Sequence, residues 1–141
     1  MERMLEIDRS DAEVWQLLRL FGGITHWMKG ADGMQFLGDE GVPGAKRIFP
    51  QVEGADPLIE ELISVDDADQ VLKYCYRQFP HPMKEHRAAI SVTDNHDGSC
   101  TVLWHIEFET DAETEPILDE YFSAEFESGL QGLEEFYQNQ N

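Results

Sequence analysis

The apolar positions of this chain change period once. From about Met34 to Glu109 they alternate or fall in short blocks separated by turn residues, which predicts strands; from Pro116 to Gln138 they recur every three or four residues, which predicts one helix. At about 100° per residue, Leu118, Phe122, Phe126, Gly129, Leu130, Leu133, Phe136 and Tyr137 share a stripe roughly 120° wide. Glu120, Glu127, Gln131, Glu134 and Glu135 lie on the other side. Such a helix, roughly 35 Å long, cannot cover its stripe with one small partner and needs a sheet wrapped along it.

Ahead of these lies a short strand, Met4 to Ile7, and then a capping box. Ser10 precedes Glu13 by three residues and opens a helix that carries Val14, Trp15, Leu17 and Leu18, with Gly22 and Gly23 expected to stop it. A second short helical turn is expected from Ile24 to Met28. Strands are predicted over Met34 to Leu37, Ala45 to Phe49, Leu58 to Val65, Val71 to Phe79, Glu85 to Thr93 and Thr101 to Glu109. The loop Pro50 to Pro57, the acidic turn at Asp66, Asp67 and Asp69, the proline loop Pro80 to Pro82 and the turn Asn95 to Gly98 separate them. Links this short imply an antiparallel meander, and the class is α+β.

Period two then assigns faces. Val102, Trp104, Ile106 and Phe108 point inward, leaving His105 outside with Leu103, Glu107 and Glu109. Tyr74 and Tyr76 share a face opposite Lys73, Cys75 and Arg77, and inward tyrosine hydroxyls find partners more easily in a wet pocket than in a dry core. His86 is in phase with Ala88, Ile90 and Val92. In Leu58 to Val65 the alternation is ambiguous, because Ile59, Ile63 and Val65 compete with Leu58 and Leu62 for the core face. Glu60 faces inward in one phase, and a single bulge would substitute Glu61.

An inward Glu60 is costly unless paired. Pairing with His86 would make an acid-base couple, burial raising the carboxyl pKa and the imidazole lowering it; otherwise Glu60 is a polar anchor for an ordered water, Arg87 or Tyr76.

Length and charge narrow the function classes. The 141 residues suit a single domain over 1–141 with one core or one internal cavity, and 29 acidic against 10 basic residues leave a net charge of -19. That field repels phosphate backbones and anionic lipid surfaces, so neither nucleic acid nor membrane insertion is expected, and the oligomer is read as monomer or homodimer. Met1 to Ser10 lacks a secretory pattern and no apolar run is long enough to span a membrane, so a cytoplasmic location is expected. Cys75 and Cys100, in different strands, are read as reduced thiols. The five histidines form no metal-ligand spacing, and no P-loop or G-x-S-x-G elbow is present, so no metal and no cofactor are expected.

The order of Ile7, Val14-Trp15 and Trp27, Gly44-Ala45-Lys46-Arg47, Ile59-Glu60-Glu61-Leu62 with Asp66, Tyr74-Cys75-Tyr76, Pro82 with His86-Arg87-Ala88, Trp104, and Gly129-Leu130 with Leu133 resembles the START-like, Bet v 1-like (SRPBCC) superfamily. Within it the chain is similar to the bacterial polyketide cyclase and lipid-transport group. The resemblance implies a helix-grip fold, in which a seven-stranded curved antiparallel sheet grips the C-terminal helix around a cavity, with two short N-terminal helices. It also implies a cavity-facing carboxylate at Glu60 and places His86 where many members have tyrosine; Glu61, often arginine in relatives, and the missing proline after Trp27 depart from the pattern.

Three function hypotheses from different classes are carried forward. One is binding or transport of a small hydrophobic or aromatic molecule of lipid, polyketide or isoprenoid type, lined by Trp27, Met28, Glu60, Tyr74, Tyr76, His86, Trp104, Phe122, Phe126 and Gly129. Another is a cyclase or dehydratase with Glu60 and His86 as acid and base, and the third is a structural or partner-binding domain with a filled core. Gly129, inside the apolar stripe, and Gly132, at its edge, mark either a close approach or room for a ligand.

Overall fold

The computed structural model describes residues 1–51 and 55–140. Seven strands form one sheet: β1 (Glu2–Ile7), β2 (Gln35–Leu37), β3 (Lys46–Phe49), β4 (Leu58–Asp66), β5 (Val71–Gln78), β6 (Lys84–Asp94) and β7 (Cys100–Glu109). Strands β2 to β7 run as an antiparallel meander, and β1 closes the far edge by pairing with β7, for a spatial order β1-β7-β6-β5-β4-β3-β2. Helix α1 (Asp11–Leu18) and a 3₁₀ turn (Gly22–His26) follow β1, and α2 (Glu115–Gln138) ends the chain against the concave face of the curved sheet. This is the expected helix-grip arrangement.

Local chemistry accounts for the boundaries. The Ser10 hydroxyl accepts the Glu13 amide at 3.2 Å and starts α1. That helix stops at Leu18, short of the two glycines expected to end it; Gly22 and Gly23 begin the 3₁₀ turn instead. The cause is distant in sequence, since the Glu40 carboxylate accepts the Phe21 and Gly22 amides at 2.7 and 2.6 Å and anchors the turn. Pro116 lies in the first turn of α2, where its missing N–H costs nothing.

Strand β4 carries two register irregularities against β5, one at Ile59/Glu60 and one at Leu62/Ser64. Leu58, Glu60 and Leu62 point inward, while Ile63 is 43% exposed. The core gathers α1, the inner sheet face and the α2 stripe, with Phe122, Phe126, Leu118 and Leu133 fully buried. Cys75 and Cys100 are free and buried. No helix among the described residues is long and apolar enough to cross a membrane.

Candidate functional site

A cavity of about 450 Å³ opens beside α2. Its walls are the segment Met28 to Ala31 after the 3₁₀ turn, Phe49 and the start of the following loop, Leu58 and Glu60 of β4, and the α2 flank bearing Tyr121, Ala124, Glu125 and Ser128. The volume falls within the usual range of small-molecule sites. Residues 52–54, part of the loop predicted over Pro50 to Pro57, lie outside the described residues.

The polar end of this cavity is built on a buried ion pair. Arg47, 4% exposed, reaches from β3 to Glu60, 2% exposed, with Nη2 at 2.6 Å and Nε at 2.8 Å from the same oxygen, Oε1. Burying both charges is expensive, and the surroundings offset part of the cost. The guanidinium carbon sits 3.8 Å from the Phe21 ring centroid and 4.8 Å from that of Tyr74, while Nη1 donates to the Phe21 carbonyl at 3.3 Å. Burial pushes the Glu60 carboxyl above its ordinary range and Arg47 pulls it back.

Glu125 supplies a second carboxyl without a cation of its own. Its Oε2 is shielded from solvent and has no hydrogen-bond partner among the described residues. Burial first, and then the neighbouring Glu60, push its pKa up to about 8, with Arg47 opposing. Of the two carboxyls, Glu60 holds the guanidinium and Glu125 does not, so the first proton bound at the site goes to Glu125. The buried Tyr76 hydroxyl lies within the field of both carboxyls and also lacks a partner among the described residues.

His86 does something different from what the sequence suggests. The β5–β6 ladder ends at Tyr74–Ala88, and beyond it the strand is distorted, with Glu85 at a φ of 48°. His86 turns its ring across Tyr76 and its Nδ1 accepts the Tyr76 amide at 3.1 Å, taking the place of a ladder bond. Burial and nearby Arg77 lower its pKa, which matches an unprotonated acceptor nitrogen. The pairing of Glu60 with His86 is therefore not made; Arg47 holds Glu60.

Of the residues expected to line a cavity, Met28 and Glu60 do so. Tyr74, Trp104, Phe122 and Phe126 pack against one another and the α2 stripe, with the Trp104 indole N–H donating to the Tyr74 hydroxyl at 3.0 Å and Phe126 edge-on to Trp104. Trp27 stands edge-on to Trp104, and only about 10 Å³ of space remains there. The loop between β5 and β6 contributes a packing residue, since Phe79 stacks on Phe122 with ring centroids 5.6 Å apart.

Both glycines of α2 mark close approaches. A Cβ on Gly129 would lie 2.6 Å from the Trp104 ring, and one on Gly132 would lie 2.1 Å from the Trp27 carbonyl oxygen. The room at these positions is taken by Trp104 and by the chain at Trp27.

A fold of this kind, with an acidic-ended cavity beside its long helix, can be set against known proteins. The sequence model described as polyketide cyclase/dehydrase and lipid transport matches residues 1–136. The chain belongs to that family. A protein from Thermobifida fusca solved in solution by NMR is 30% identical, with 99% of this chain and 93% of that one covered and a TM-score of 0.88. XoxI from Bacillus cereus is 20% identical over 100% of this chain and 97% of its own, with a TM-score of 0.83. Norcoclaurine synthase from Thalictrum flavum, solved with dopamine and hydroxybenzaldehyde, is 18% identical over 100% of this chain and 87% of its own, with a TM-score of 0.82. No functionally curated protein matches the chain.

Membership in the polyketide cyclase/dehydrase and lipid transport family supports ligand binding in general. Within this family member, sequence reasoning missed Arg47, Tyr121 and Glu125 as site residues. Glu125 did leave a signal: on the helical wheel it lies about 20° from Leu118, a carboxyl at the margin of an apolar stripe. Ala124 and Ser128, small residues on the same flank, were the sign that no side chain would fill the space. Among the described residues no group of three or more histidine, cysteine or acidic side chains is arranged to hold a metal ion.

Proposed function

We propose that this protein binds or carries a small molecule with a hydrophobic or aromatic body in the cavity between β3, β4 and α2. The observation that carries the reading is a cavity of about 450 Å³ whose apolar walls, Met28, Phe49, Leu58 and Tyr121, end at the buried Glu60 and at Glu125, whose Oε2 is shielded from solvent. A dry core would have no use for an unpartnered carboxyl oxygen, whereas a ligand's polar end supplies its partner. The family supports ligand binding of a general kind; lipid, polyketide or isoprenoid character is our reading.

Titration with N-phenyl-1-naphthylamine, an uncharged dye that fluoresces in apolar surroundings, tests it. Wild type should bind one dye per chain, and Ser128→Phe, which fills the cavity from α2, should weaken binding by roughly tenfold or more. Absent binding, or equal binding by the two proteins, would sink the cavity reading.

A second reading, proton transfer to a bound substrate in the manner of a cyclase or dehydratase, draws on Glu125. A carboxyl with its pKa near neutrality beside a second, ion-paired carboxyl is suited to donate and recover a proton. Glu60 and Glu125, rather than Glu60 and His86, are then the acid-base candidates.

A further inference from the structure

The charges around the cavity do not balance. Arg47 is paired with Glu60, and Lys29, at the mouth, is paired with Glu135 at 3.2 Å. Glu120 and Glu125, which also line the cavity, have no cation among these pairs. The groups facing Glu125 are Glu60 from β4, Arg47 from β3, Tyr74 and Tyr76 from β5 and Tyr121 on its own helix, with Lys29 and Glu120 at the cavity wall. One guanidinium thus stands among two carboxyls and three uncharged phenols. With both carboxyls ionised the inner site carries one uncompensated negative charge, inside a chain of net charge -19.

An apolar cavity ending in unbalanced acceptors fits one kind of ligand head. Resting on the ligand-binding reading above, we propose that the cavity selects molecules bearing a protonated amine, the ammonium seating between Glu125 and Glu60 while an apolar body lies against Met28, Phe49 and Leu58. An ammonium has three N–H donors and no acceptor, matching carboxylate oxygens of which Glu125 Oε2 is now unpartnered. An alcohol of the same shape would bring one donor and no charge. Because a bound cation favours the ionised form of Glu125, amine binding expels the proton held there.

Isothermal titration with 4-phenylbutylamine and its neutral counterpart 4-phenylbutan-1-ol tests this. The amine should bind more tightly than the alcohol, and more tightly at about pH 8.5 than at about pH 6.5 by roughly tenfold, while the alcohol's affinity stays flat. Titrations in two buffers of different ionisation enthalpy should report proton release with the amine alone. In Glu125→Gln, checked for folding by circular dichroism, the ratio of amine to alcohol affinity should fall close to one; an unchanged ratio would overturn the proposal. Alcohol binding as tight as amine binding, without proton release, would overturn the amine proposal and leave the cavity reading intact. Binding of neither compound would remove both.

Discussion

Toward β5 and β7, α2 packs against Trp104, Tyr76 and Phe79; toward β3, β4 and the segment after the 3₁₀ turn, the same helix borders an opening of about 450 Å³. The residues on the two sides explain the difference. On the packed side, glycines at 129 and 132 let an indole and a backbone carbonyl approach the helix, and the Phe122 and Phe126 rings pack against Tyr76, Phe79 and Trp104. On the open side, Ala124 and Ser128 are too short to reach the sheet, and Glu60 and Glu125 cannot be packed over without stranding charge. A helix-grip core is therefore stabilised on one flank and kept available on the other.

Three substitutions would sharpen or break that contrast. Trp104→Ala should have the largest effect on stability: it opens a void in the packed side and leaves the Tyr74 hydroxyl without its donor, costing about 4 kcal/mol in urea unfolding. If the loss were below about 1 kcal/mol, the packed side would be looser than its geometry implies. Gly132→Ala comes next. Its methyl would meet the Trp27 carbonyl, a backbone atom that cannot swing aside, and about 3 kcal/mol should be lost, with dye binding in the cavity retained by the folded fraction.

The third acts on the open side and depends on pH. The folded pKa of Glu125 is raised, to about 8, so the stability this carboxyl contributes is fully present below the ordinary carboxylate pKa and lost as pH rises through about 8. Glu125→Gln removes that slope. Relative to wild type, the variant should gain roughly 2 kcal/mol between about pH 6.5 and about pH 9, read from urea midpoints at the two pH values. Parallel pH profiles for the two proteins would mean that Glu125 is not held in its protonated form.

Most of the fold was legible in the chain. The alternation of Val102, Trp104 and Ile106, the capping box at Ser10 and the three-to-four spacing from Leu118 to Tyr137 each report a local preference, and the elements they predict stand where expected to within a few residues. The site was legible only in part. Glu60 could be placed inward and Met28 near a cavity, but Arg47, thirteen positions before Glu60, reaches it only through the β3–β4 pairing of Arg47 with Glu60. The distorted β6 turns His86 to the Tyr76 amide, and no period-two pattern reports such a distortion.

By itself the sequence determined the strand and helix order and the inward face of β7, because each depends on neighbours within a turn or a pleat, and it set the excess of acid. Tertiary structure alone decided which carboxyl would be neutralised, which aromatic residues would be core and where space would remain. Those outcomes depend on distances between segments far apart in the chain: Trp104 comes to rest on Gly129, Arg47 on Glu60, and Glu125 is left facing an opening that no side chain fills.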